Sequence, residues 1–142
     1  MTDSELEYYI RNFRRNVYNA VLCYVRSPSD AEDITQDTFI KLYTYSGEFN
    51  GDEHVKAWLL RCAINQSKNL LRSHWYRFSA PLEAAENLSY HDSRDTDDEM
   101  LKIMQRLSKD NRIALYMYYY EGYTLEAVGR IFAQMLEDIE LT

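Results

Sequence analysis

Five polar side chains, Arg61, Asn65, Lys68, Asn69 and Arg72, recur at i, i+4, i+7, i+8 and i+11, the intervals that stack residues along one stripe of an α-helix. Cations on such a stripe can pair with phosphates, and carboxamides can hydrogen-bond the edges of bases. The run His74-Trp75-Tyr76-Arg77-Phe78 follows directly and joins rings that can stack on unpaired bases to further positive charge. The same spacing also describes a solvated helix face, so the pattern alone leaves nucleic-acid contact and plain solvation both open. A second concentration of charge is acidic: Asp30, Glu32, Asp33 and Asp37 open another helical stretch. Acids favour helix N-termini with or without a partner, so a partner-binding surface and a dipole effect are again both open. His54, His74 and His91 lack the spacing of a metal site, and there is no glycine-rich phosphate loop and no serine or cysteine nucleophile in a recognisable setting. The residues therefore point to binding rather than to enzymatic activity, with no cofactor expected.

The elements that must position these residues are helices. With 142 residues, 46% hydrophobic and 27% charged, the chain can bury a core without disulfides or metals. Only 4 Gly and 2 Pro leave little turn punctuation for a strand-rich sandwich or barrel, so an all-α fold is expected. No apolar run approaches the length of a membrane span and no charged-then-apolar leader opens the chain, which reads as a cytoplasmic protein with no membrane partner. Cys23 and Cys62 lie in apolar-patterned stretches without CxxC spacing and read as buried thiols of a reducing compartment.

A net charge of −7 hides a segregation. Residues 51–80 carry 5 basic and 2 acidic side chains, whereas residues 81–99 carry 1 basic and 7 acidic. This shift divides the chain into a helical domain over 1–77, an acidic flexible linker over 78–98 with a short helix around Leu82–Glu86, and a small helical unit over 99–142.

Apolar residues at helical spacing predict a first helix from Ser4 to Val25, ended by Ser27-Pro28. Ser29 and Glu32 form a capping-box pattern that starts a second helix near Asp30. Its inward face is Ala31, Ile34, Thr35, Thr38 and Leu42; Glu32, Asp33, Gln36, Asp37 and Lys41 point elsewhere, with Phe39 and Tyr43 at the boundary. A loop over Glu48–His54 precedes a third helix from Val55 to Ser73, whose core side is expected to be Val55, Trp58, Leu59, Cys62 and Ile64 or Gln66. Met100, Ile103, Met104 and Leu107 predict a further helix. Ser108 or Asp110 caps another, carrying Ile113, Leu115, Tyr116 and Tyr119 and stopping at Glu121-Gly122. Thr124 caps a last helix whose apolar stripe is Val128, Ile131, Phe132, Met135, Leu136 and Ile139.

Read together, these stretches resemble a known family. Asp30-Ala31-Glu32-Asp33-Ile34-Thr35-Gln36-Asp37-Thr38-Phe39-Ile40-Lys41-Leu42-Tyr43 is similar to the second region of bacterial sigma-70 family sigma factors of the extracytoplasmic-function (ECF) group. So are Phe49-Asn50-Gly51-Asp52 and Val55-Lys56-Ala57-Trp58-Leu59-Leu60-Arg61-Cys62-Ala63-Ile64-Asn65, and the resemblance covers roughly residues 8–77. Leu107 to Gly129 resembles the start of the fourth region, including the first helix of its helix-turn-helix. The resemblance implies a transcription initiation factor that binds core RNA polymerase. Asp33, Gln36, Asp37, Phe39 and Lys41 would meet the clamp coiled coil. Phe49, Asn50 and His54 in the loop, with Arg61, Asn65, Lys68, Asn69 and Arg72, would face the −10 element and its displaced non-template strand, where the family reads a flipped base. Catalysis would belong to the polymerase, and an anti-sigma factor is a further partner that the resemblance raises.

The fourth region departs from the family. Where a turn and a basic recognition helix for the −35 major groove are expected, residues 133–142 carry three acids and no Lys or Arg. The turn has no glycine and the apolar stripe runs through it, so one continuous helix is expected and −35 reading is doubtful. An alternative function follows: a sigma-like helical protein that acts by protein–protein binding, or by self-association through the C-terminal helix, without promoter recognition.

Overall fold

The computed structural model describes residues 1–72, 103–104 and 106–140, with residues 135–140 described by backbone alone. These hold five helices and no strand: α1 Asp3–Val25, α2 Pro28–Thr44, α3 Asp52–Leu71, α4 Lys109–Tyr119 and α5 Leu125–Glu140. The acidic linker, the helix proposed around Leu82–Glu86, the run His74–Phe78 and Met100 lie outside the described residues.

The first helix begins earlier than periodicity alone suggests. Thr2 accepts from the Glu5 N–H at 3.1 Å while the Glu5 carboxylate accepts from the Thr2 N–H at 3.2 Å, a reciprocal capping box that satisfies two otherwise orphan donors. Along its N-terminal half, α1 is amphipathic and only half-buries Leu6, Tyr9, Ile10 and Phe13. Its C-terminal half is different, because every residue from Ala20 to Val25 is buried. A helix buried all round must have neighbours on all sides. Here α2, α3 and α4 all pack against α1. The helix ends at Arg26, whose left-handed φ of 64° lets its N–H return to the Leu22 carbonyl at 2.9 Å.

The cap of α2 corrects the expected one. Ser27, not Ser29, is the N-cap and accepts from the Asp30 N–H; Pro28 occupies the first turn, where its missing N–H costs nothing. Inside, Ala31, Ile34, Thr35, Thr38 and Leu42 are buried as their spacing requires. The buried hydroxyls of Thr35 and Thr38 donate to the carbonyls of Ala31 and Ile34, so neither is left unpaired. Gln66 then ties α3 to α2 by donating to Thr38 Oγ1 at 2.8 Å.

The start of α3 absorbs part of the expected loop, since Asp52, Glu53 and His54 form its acidic first turn after Gly51 at φ 97°. Its buried face is Val55, Leu59, Leu60, Ala63, Ile64 and Ser67; Trp58, Cys62 and Gln66 are only half-buried. The expected face was rotated because α3 packs against α1, α2 and α5 together, which widens its buried arc. Cys23 is the buried thiol and Cys62 is not fully enclosed.

In the C-terminal unit, Met104, Ile113, Tyr116, Met117, Val128 and Ile131 join the same hydrophobic core as α1–α3. Ile103 and Tyr119 are exposed, against expectation, because the turn at Arg106 and Leu107 and the far side of α4 face away from α1. The α4 N-cap is Ser108, without a side-chain hydrogen bond. Gly122 at φ 76° makes the turn, and the Thr124 hydroxyl accepts from the Ala127 N–H at 3.1 Å to start α5. From there one helix runs unbroken to Glu140, as the sequence pattern required.

Candidate functional site

Two helix faces carry the residues singled out in the sequence, and the fold treats them differently. On the outer face of α2, Asp33, Gln36, Asp37 and Lys41 are exposed. Phe39, expected among them, is only 5% exposed and belongs to the core, while its neighbour Ile40 is 57% exposed. The reason is angular: Phe39 follows Thr35 by one turn and inherits its inward direction. Between α1 and α2 lies an open groove of about 540 Å³. Leu6, Ile10 and Phe39 supply apolar wall and Asp33, Gln36 and Tyr43 line it as well. Arg14 and Glu32, paired at 2.7 Å and half exposed, also line it. Tyr43 and Tyr8 donate to Asp3 and Asp52 at 2.5 Å, and these bonds to carboxylates raise both phenols above their ordinary pKa of 10.0.

The loop before α3 is ordered by its own side chains. His54 Nδ1 accepts from the Asn50 N–H at 2.9 Å, closing the loop over Gly51. Phe49 meets His54 edge-on at 5.1 Å and Trp58 edge-on at 5.9 Å, and Tyr45 tilts against both Phe49 and Trp58. Asn50 and His54 are exposed and Phe49 is half-buried, so the structure brings these three expected residues together at one end of α3.

The α3 stripe is not the open face that its spacing suggested. Asn69 and Arg72 are exposed, but Arg61, Asn65 and Lys68 are half-buried. Arg61 donates to Gln134 Oε1 on α5 at 2.9 Å. Lys68 lies 3.9 Å from the Asp110 carboxylate on α4 and 5.6 Å from the centre of the Phe132 ring on α5. The correction comes from tertiary packing, for nothing in the spacing of α3 shows that α5 lies against it. Among the described residues no cluster of His, Cys, Asp and Glu could hold a metal ion, and no helix is long and apolar enough to cross a membrane.

Comparison with known proteins places this geometry. The Sigma-70 region 2 family matches residues 9–77. The RNA polymerase sigma-H factor of Pseudomonas aeruginosa is 27% identical over 138 residues, covering 86% of this chain and 72% of that protein. The ECF RNA polymerase sigma-E factors of Salmonella typhimurium and Escherichia coli K12 are each 30% identical over 135 residues, covering 84% of this chain and 70% of theirs. The chain belongs to the ECF sigma factors of the sigma-70 family. No solved structure matches it significantly.

In this sigma factor, two residues that the sequence did not single out hold the C-terminal unit to region 2. Arg112, 5% exposed, donates to the carbonyls of Cys23, Tyr24 and Leu107. Burial lowers its pKa below the usual arginine value. Glu121, whose side chain is 2% exposed, pairs with Lys56 at 2.8 Å and accepts from Asn16 and Tyr116. Their types carried no signal, since a single arginine in a helix and a glutamate before a glycine are common in any helical protein.

Proposed function

We infer that this sigma factor binds core RNA polymerase through the outer face of α2 and directs recognition and melting of the −10 promoter element through the loop at Phe49–His54 and the α3 stripe. The single observation that carries the reading is the open groove on α1 and α2. It combines an apolar floor with Asp33 and Gln36 in its lining, and the exposed Asp37 and Lys41 lie on the same helix outside it, a chemistry suited to a charged partner helix. The relatives named as RNA polymerase sigma factors support the same partner. Phe39 acts from below, as the wall of the groove rather than as a charged contact. The polymerase performs the chemistry, and the sigma factor supplies addressing from the cytoplasm.

On the DNA side, Asn50, His54, Asn69 and Arg72 are exposed to the displaced strand, and Phe49 and Trp58 supply rings beside the loop. Residues 1–77 form the region 2 unit and 99–142 a partial region 4 unit. Promoter choice through −35 is weak, because α5 is one helix and its last turns contain Glu137, Asp138 and Glu140 with no Lys or Arg, which repels phosphate. One observation favours a second reading, partner binding without promoter recognition: Arg61 is engaged by Gln134 of α5 and Lys68 by Asp110 of α4.

Equilibrium binding of labelled protein to bacterial core polymerase at two salt concentrations tests the reading. Saturable binding is expected, weakened about tenfold or more by Asp37→Lys and less so at high salt. Absence of saturable binding at micromolar protein, or an affinity unchanged by Asp37→Lys, would sink the docking assignment.

A further inference from the structure

The loop before α3 closes on a bond whose acceptor can take up a proton. Val55 is fully buried and its N–H returns to the Gly51 carbonyl at 3.2 Å, so the first turn of α3 is fixed from inside. Gly51, the N-cap, has no side chain to cap with, and its φ of 97° turns the chain sharply. His54, at the third position of the helix, takes over the reach-back that Glu or Gln makes in a capping box, and its Nδ1 accepts from the Asn50 N–H at 2.9 Å. An imidazole nitrogen that accepts carries no proton, so the proton of neutral His54 sits on Nε2. That Nε2–H has no protein partner among the described residues, and the side chain is exposed.

The groups around this turn are few. Asp52 and Glu53 precede His54 in it; Asp52 accepts from Tyr8 of α1, and Glu53 acts on the Tyr123 phenol, which burial, Glu53 and Glu121 together raise. The Phe49 ring meets the imidazole edge-on, and Tyr45 and Trp58 pack on Phe49. No carboxylate pairs with His54 among the described residues. A second proton on the ring would meet the Asn50 N–H donor against donor, and the bond that closes the loop would be lost.

We propose that His54 is a positioning residue that makes base reading by this loop pH-dependent: neutral, it holds Asn50 and Phe49 in the arrangement that accepts a base of the displaced strand; protonated, it releases them and leaves a cation that attracts phosphate of any sequence. The inference rests on the reading that the loop at Phe49–His54 takes such a base. It goes further in naming the residue that sets the loop's shape and the condition under which that shape is lost. Discrimination between bases needs donors and acceptors in fixed places, whereas attraction to phosphate needs only charge. Acid therefore lowers selectivity while overall affinity for single strands is kept or rises.

The experiment uses the full chain with two readouts. Long-range proton–nitrogen NMR of the free chain reads the His54 tautomer and the Asn50 amide through an acid titration, with His54→Gln assigning the imidazole. Fluorescence anisotropy of the chain on bacterial core polymerase, with core polymerase alone as baseline, reads affinity for short single strands of T, C or A. The ratio of the tightest to the weakest of these affinities measures base discrimination. Between about pH 8 and about pH 6 this ratio is expected to fall about threefold in the wild type, because the closed fraction shrinks. His54→Gln supplies an amide oxygen that does not titrate, so its ratio, whatever its level, should be equal at the two pH values. His54→Ala has no acceptor and should discriminate less than His54→Gln at both. The side chain is exposed, so neither substitution disturbs the core.

An Nε2–H tautomer whose titration moves the Asn50 amide, with discrimination lost in acid by the wild type and not by His54→Gln, supports the proposal. An Nδ1–H tautomer at pH 8, or an Asn50 amide indifferent to the titration, overturns the bond and the proposal with it, and leaves the loop as a base reader. A bond as described with the same discrimination at both pH values overturns the positioning role alone. Discrimination no greater than that of core polymerase by itself at either pH overturns the reading of the loop together with the proposal.

Discussion

The outer face of α2 and the polar stripe of α3 are written in the same code, charged and amide side chains at helical spacing, yet one is open and the other half-covered. On α2, Asp33, Gln36, Asp37 and Lys41 stand in solvent, the first two of them lining a groove whose floor is apolar. On α3, Arg61 and Lys68 are engaged by Gln134 and Asp110, and Asn65 lies half-buried between them. The difference teaches that a helical stripe specifies which residues point the same way, and not what they point at. A surface that is open in the free protein can be used at once by a partner, whereas a covered one needs a prior conformational step.

The largest expected effect lies on the open side and separates floor from rim. Phe39→Ala removes a buried ring and should cost about 3–4 kcal/mol of stability in urea denaturation. Ile40→Ala, at an exposed neighbour, should change stability by less than about 0.5 kcal/mol while weakening core-polymerase binding. Equal stability losses in the two variants would mean that the face is not divided as described.

On the covered side, Arg112→Ala strips the donor from three backbone carbonyls and should cost about 3 kcal/mol. Arg112→Lys, a single-point donor without the planar fork, should recover less than half of that. A loss below about 1 kcal/mol, measured in the same way, would show that the C-terminal unit leans little on region 2.

Alkaline pH should loosen the covered side. Above its ordinary value of 9.0, the Cys23 thiol of an unfolded chain loses its proton, whereas the folded chain keeps it until about 12. The unfolded state then binds fewer protons, so stability is fully present below pH 9 and falls as pH rises toward 12. Tyr24, whose phenol is raised above 10.0 by burial and by the Asp110 carboxylate, adds to the same decline at higher pH. Denaturation midpoints from about pH 8 upward check this, and Cys23→Ala should show a shallower fall.

The smallest effect belongs to the start of α1, on the open side. Thr2→Ala breaks the capping box with Glu5 and should cost about 0.5–1 kcal/mol, without changing the rate at which a thiol reagent labels Cys23. Faster labelling in that variant would tie the two sides together more tightly than their separation along α1 suggests.

Much of the fold was legible because helices announce themselves locally. The inward face of α2, the stop at Glu121-Gly122, the Thr124 cap and the unbroken α5 all follow from short-range spacing and capping chemistry. The errors were of two kinds. Ser27 displaced Ser29 as the α2 cap because Pro28 is compatible with a first turn, a local fact that a capping-box pattern outweighed. Phe39, Leu60, Ala63 and Arg112 were misplaced or missed because their burial depends on neighbours far away in the chain. The loop at Phe49–His54 was recognised as one group, but the hydrogen bond from the Asn50 N–H to His54 that closes it was not readable.

By itself, then, the sequence determined the all-α class, the bounds of the helices to within a few residues, the family and the two charged stripes. All of these rest on residue identity and on intervals of three or four along a helix, which the backbone geometry converts directly into faces. Only the tertiary structure decided that α1 is enclosed over Ala20–Val25, that Glu121 meets Lys56 and that α5 lies over Arg61 and Lys68. Those contacts join residues tens of positions apart. Their pairing depends on shape and on the exclusion of water across several helices at once, which no local interval encodes.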